Sequence, residues 1–85
     1  MIESWTIKQK GSVSQQATDL VLPLKLEDSK GNCHNCLLHQ SLGGHLSLWK
    51  GASLIDVESQ EDIYSLSVGD KLVVSVSIPR TDVLK

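Results

Sequence analysis

The sequence has no phenylalanine, one arginine, two prolines and only three aromatic side chains, Trp5, Trp49 and Tyr64. Each scarcity excludes something. Without phenylalanine the core must be aliphatic, and Leu, Val and Ile dominate the apolar 40%. So few rings leave no row of stacking platforms for unpaired bases. The formal net charge is −2 and the lysines are scattered, which argues against binding that works by neutralising nucleic-acid phosphates. No run approaches the ~18–20 apolar residues that would cross a bilayer. The opening MIESWTIKQKG has neither the long apolar region nor the small-residue cleavage site of a signal peptide. The expected setting is therefore the cytoplasm, where thiols stay reduced, with neither nucleic acid nor membrane as partner.

What is present is period-two alternation, the mark of half-buried strands. In SWTIK, Trp5 and Ile7 share a face. In LVLPLKLED, Leu20, Leu22, Leu24 and Leu26 share one face, and Val21, Pro23, Lys25 and Glu27 the other. Pro23 lacks a backbone donor, which places this strand at a sheet edge or beside a bulge. GSVSQQATD reads as a polar connection with one short strand at its start, and DSKGN as a turn. CHNCLLHQS continues as a strand, closed by LGGH, where Gly43-Gly44 can supply positive φ for a hairpin. HLSLW puts Leu46 and Leu48 on one face, and a short strand follows around Leu54 to Val57. In KLVVSVSIP, Leu72, Val74, Val76 and Ile78 point inward until Pro79 ends the strand, leaving RTDVLK as a tail.

Between these strands SQEDIYSLSVGD is ambiguous. Ser59 ahead of Gln60, Glu61 and Asp62 fits the cap of one short helical turn near residues 60–66, while DIYSL also suits a strand. Nothing sustains the 3.6-residue period of a full helix. The expectation is a single small β domain over residues 1–85, all-β, an antiparallel barrel or sandwich of five to seven strands. A chain of this length buries only about 60–65% of its unfolded surface, which leaves room for a partner subunit or a metal to add stability.

The stretch GNCHNCLLHQSLGGH concentrates both cysteines and all three histidines of the chain. Cys33 and Cys36 have the C-x2-C spacing of a zinc knuckle, and His39 and His45 would complete a Cys2His2 set, with His34 in reserve. Strand geometry objects. Residues 33 and 36 of an extended strand point to opposite faces with Cα atoms about 10 Å apart, too far for a shared ion or a disulfide. The pair converges only if residues 32–36 form a turn. The favoured reading is strand and turn, with Cys36, Leu38 and His34 toward the core and Cys33, Leu37 and His39 toward solvent or a partner. The alternative is a small zinc-binding domain held by Cys33, Cys36, His39 and His45; otherwise no cofactor is expected. A redox pair would need its C-x2-C at a helix start, which this pattern lacks.

Taken together, LPLKLED, CLLHQSLGGHLSL and LSVGDKLVVSVSIP resemble the first half of a PilZ domain, over about residues 20–79. That bacterial family is a small β-barrel, many members of which bind cyclic di-GMP through an R-x3-R motif and a later D/N-x-S-x2-G. The second motif would fall on His39 to Gly44, with Ser41 and Gly44 matching and His39 replacing the acidic or amide residue. The R-x3-R is missing, since the only arginine is Arg80, and with it go the guanidinium groups that phosphates and guanines require. The resemblance implies a divergent member that has lost ligand binding and kept a protein-docking, regulatory role.

Nothing assembles a catalytic set. Ser41 with His39 or His45 lacks the G-x-S-x-G elbow, SLGG lacks the lysine and helix of a phosphate loop, and Glu58, Glu61 and Asp62 read as a solvated turn. The chain is expected to be no enzyme. The expected function is a protein-binding or adaptor module, with a homo-oligomer as one form. Its docking face is either an exposed strand edge near Pro23 or the surface of CHNCLLHQS with Trp49, and the candidate partner-binding residues are Trp49, His39, Ser41, Gly44 and His45. Trp49 beside Gly51 suits an aromatic anchor and equally a core filler.

Overall fold

The structure, a computed structural model, describes residues 2–76. The alternating segments become seven strands: β1 (Ile2–Lys10), β2 (Ser14–Gln16), β3 (Asp19–Glu27), β4 (Cys33–Gln40), β5 (Leu46–Lys50), β6 (Ser53–Val57) and β7 (Lys71–Ser75). A single 3₁₀ turn, Ile63–Ser65, lies between β6 and β7. Every pairing is antiparallel, in the order β1-β7-β6-β5-β4-β3-β2, and an added β1–β3 pairing closes the sheet. The result is a closed six-stranded barrel with β2 as a short flap on β3. The expected inward Ile78 and the strand end at Pro79 lie outside the described residues.

Closure makes one face of every strand interior, so the alternating leucines meet in layers. Across neighbouring strands, register joins Leu22 to Leu38, Leu38 to Leu48 and Leu48 to Ile55, all buried. Trp5, Ile7, Leu24, Leu26, Cys36, Leu46, Leu72 and Val74 complete the interior, and Ile63 and Leu66 of the 3₁₀ segment cap it. No polar residue is buried among the described residues. Val21 departs from the alternation: it is buried on the opposite face of β3, between its register partners Ser14 on β2 and His39 on β4.

Two local expectations change, and a third is narrowed to the bulge it allowed. Pro23 is not at a sheet edge: it pairs with Leu37 on β4, while its carbonyl accepts from Gly11 N–H at 2.9 Å on the other side. In an antiparallel strand a residue's N–H and C=O point the same way, so the missing donor faces the gap between β1 and β2 and no ladder bond is lost. A register shift between Ile7 and Gln9 marks a bulge just before that gap, and a Cβ on Gly11 would lie 3.3 Å from the proline ring. The short strand of the polar connection occupies its middle rather than its start. The 3₁₀ turn is capped by Asp62, whose carboxylate accepts from Tyr64 N–H at 2.9 Å, and not by Ser59. The Ser59 hydroxyl instead accepts from Val73 N–H at 2.9 Å, stitching the loop to β7.

The β2–β3 hairpin turns through Ala17-Thr18, with Ala17 at φ 55°. A side chain in this left-handed region costs about 1–2 kcal/mol, while glycine adds about 0.4–1 kcal/mol of unfolded-state entropy. Ala17→Gly is therefore expected to stabilise the domain by about 0.5–1 kcal/mol, read as a raised urea midpoint at unchanged slope.

Candidate functional site

The outer wall carries a feature that alternation along one strand cannot reveal. Register places Pro23 beside Leu37, Leu37 beside Trp49 and Trp49 beside Leu54, across β3, β4, β5 and β6. Leu37 is 41% exposed and Leu54 52%; Pro23 is exposed and Trp49 half-buried. This apolar ladder runs directly outside the interior layer of Leu22, Leu38, Leu48 and Ile55. Scattered exposed leucines are ordinary, but contiguous apolar residues on a solvent face mark an interaction surface.

The rungs flanking the ladder are polar apart from the buried Val21. One runs Val21–His39–Ser47–Asp56, and His39 lies 6.2 Å from Trp49, ring centre to ring centre, with the planes tilted by 59°. His39 Nδ1 is 3.6 Å from Asp19 Oδ2. On the other flank Lys25 pairs with Asn35. There, a groove of about 710 Å³ opens along Pro23, Leu37 and Trp49 toward β1.

Of the expected partner-binding residues, Trp49 and His39 come together on the wall. Ser41, Gly44 and His45 sit instead in the tight turn joining β4 to β5. There Ser41 acts as a latch: its hydroxyl accepts from His45 N–H at 3.2 Å, and its carbonyl from Gly44 N–H at 2.9 Å. Gly44 adopts φ +88°, which suits glycine. The neighbouring Gln40 was missed by sequence reasoning. Its amide donates to the carbonyls of Gly44 (3.3 Å) and Glu61 (3.4 Å) and accepts from Ile63 N–H (3.2 Å), pinning the 3₁₀ turn to this hairpin. Pro23 and Leu54 were also missed as members of one surface, because only pairing register joins them to Trp49.

β4 runs unbroken from Cys33 to Gln40, so Cys33 is exposed on the outside and Cys36 buried within. The barrel wall separates them. Among the described residues, no three of His, Cys, Asp and Glu gather as a metal would require. Burial pushes the Cys36 thiol above its usual range, with the Lys50 charge opposing it. Native alkylation with iodoacetamide is therefore expected to modify Cys33 alone, and both thiols once the chain is unfolded; intact-mass measurement counts the adducts.

A second constellation closes one end of the barrel. The His34 ring stacks on Trp5 at 4.9 Å and 19°, and its Nε2 lies 2.8 Å from Asp28 Oδ2. Asp28 also organises the turn after β3, its other oxygen accepting from the N–H groups of Lys30 (2.8 Å) and Asn32 (3.0 Å). Trp5 Nε1 donates to Glu3 Oε1 at 2.9 Å. The hydrogen bond to His34, aided by those backbone donors, lowers the Asp28 carboxyl from 3.8 to about 2. A carboxyl more acidic in the folded state stabilises the fold fully above its unfolded pKa and loses that contribution as pH falls through its folded pKa. The contribution of the Asp28 carboxylate, read as the stability gap between the native chain and Asp28→Asn, should therefore shrink between about pH 4 and pH 2, as urea melts at several pH values below about 5 would show.

No protein-family model, curated protein or solved structure matches this chain. The closed antiparallel barrel is compatible with a PilZ-like barrel. Among the described residues, no helix is long and apolar enough to cross a membrane.

Proposed function

We propose that this protein is a non-catalytic docking module that holds a protein partner on the outer wall of its barrel. The observation that carries the reading is the register-aligned ladder Pro23–Leu37–Trp49–Leu54. It offers an aromatic anchor amid exposed aliphatic side chains with a polar surround, the composition of an interface centre and its rim. Docking on a free strand edge near Pro23 is set aside, because β3 is occupied on both sides there. Within the PilZ resemblance, the chain reads as a divergent, regulatory barrel in which docking has replaced cyclic di-GMP binding. The bacterial cytoplasm is the setting that suits its two free thiols.

A photo-crosslinking residue at Leu54, compared with one at the exposed Gln16 on β2, tests this in cells. The expected result is one discrete protein adduct from position 54 and none from position 16, with the adduct suppressed by Trp49→Ala. Absence of an adduct, or the same adducts from both positions, would overturn the reading. An adduct of the chain with itself alone would replace a foreign partner by self-association.

A further inference from the structure

The groove beside the ladder has a charge that the whole chain does not. Acidic residues outnumber basic ones overall, ten to eight. Yet the groove is flanked by Lys8, Lys10 and Lys25, and no Asp or Glu lines it among the described residues. Its apolar side is the Pro23, Leu37 and Trp49 portion of the ladder. The lysines are only weakly answered from within. Lys8 approaches Glu27 at 3.9 Å, where both side chains are well exposed and such pairs contribute little. Lys10 shares its face with the buried Leu24 and donates to the carbonyl of Leu66 at 2.7 Å, so its ammonium turns to the capped end of the barrel and leaves Lys8 and Lys25 to face the groove. No carboxylate pairs with Lys25 among the described residues.

We infer that this groove takes an extended acidic peptide segment carrying an apolar anchor, the anchor against Trp49 and Leu37 and its carboxylates against Lys8 and Lys25. This rests on the outer wall being the docking face, and adds to it the chemistry of the partner. A carboxylate-bearing chain satisfies both halves of the groove at once, burying an apolar side chain while meeting positive charge. Polyphosphate chains meet only one half, since they carry no apolar side chain for Trp49 and Leu37. Ammonium groups on flexible stems also suit scattered carboxylates, whereas fixed phosphate recognition favours guanidinium forks.

Selection of short random peptides displayed on phage against the intact protein tests this directly. Enriched sequences are expected to carry Asp or Glu on either side of a Leu, Ile, Phe or Trp. A synthetic peptide of the enriched sequence should bind less well as salt rises and lose about tenfold or more in affinity to Lys8→Glu/Lys25→Glu. Trp49→Ala should abolish the enrichment, and the lysine variant, altered only at exposed or half-exposed positions, guards against misfolding of the tryptophan variant. Neutral or basic enriched sequences, no enrichment at all, or displacement of the peptide by oligothymidylate would each overturn the inference. Failure here with a persisting Leu54 crosslink removes the acidic peptide and keeps the docking wall; failure of both removes the wall.

Discussion

Leu38→Ala is expected to lower the unfolding midpoint by about 12–30 °C, from a loss of roughly 3–4 kcal/mol. Leu38 is fully buried on β4, with Leu22 on one neighbouring strand and Leu48 on the other. Truncation removes its transfer free energy and leaves a cavity in the middle of a layer. A closed barrel cannot collapse around that void, because each lining residue belongs to a strand held on both sides. A chain of 85 residues has a total stability of about 4–13 kcal/mol, so at the low end roughly 15–50% of this variant would be unfolded at room temperature. Leu38→Met conserves the volume and should cost less than about 1.5 kcal/mol. Differential scanning calorimetry of the pair separates a cavity effect from general intolerance at the position.

The two tryptophans should respond in opposite ways. Trp5→Ala is expected to cost about 3–5 kcal/mol, because it empties one end of the barrel, removes the surface on which His34 stacks and leaves Glu3 without its indole donor. Trp49→Ala lies on the half-buried outer wall and should cost only about 1 kcal/mol. Its effect belongs to docking, where loss of a central aromatic anchor weakens binding by about 2 kcal/mol or more, roughly 30-fold. Urea melts of both variants, set beside titration with the selected peptide, check the contrast. Equal destabilisation would mean that Trp49 is a second core residue and not an anchor.

The interior was readable from single strands because each buried face is written every second residue: Leu22 to Leu26, Leu46 and Leu48, Leu72 and Val74. The strand reading of the Cys/His stretch rested on the same rule, and β4 places Cys36 and Leu38 within and Cys33 and Leu37 without. The apolar ladder on the outer wall was half readable. Trp49, His39 and Leu37 stood out locally, but Leu54 joins them only through β5–β6 pairing, and Pro23 only through β3–β4 pairing. Register between strands depends on turn geometry and closure, which no local pattern states. The Asp28–His34 contact is similar: six positions apart, the two meet because the hairpin folds back. The cap at Asp62 was misplaced onto Ser59 for a plainer reason, as both residue types cap well and tertiary contact with Val73 claimed the serine.

β1 has a particular place in time as well as in space. It is paired along one margin with β7 and along the other with β3, in register from Ile2 with Ser75 through Lys10 with Leu24. Strands β3 to β6 can zip successively through short turns, but β1 cannot find both its neighbours until β7 is available. Bringing together segments so distant in sequence carries the loop-closure cost that slows β topologies to milliseconds or longer. During that wait the sheet is an open half-shell whose concave side displays Leu22, Leu38 and Leu48 to the cell. The layer buried at the barrel's centre is thus an open apolar surface before closure, and the β1–β7 pairing is the shutter that ends the exposure.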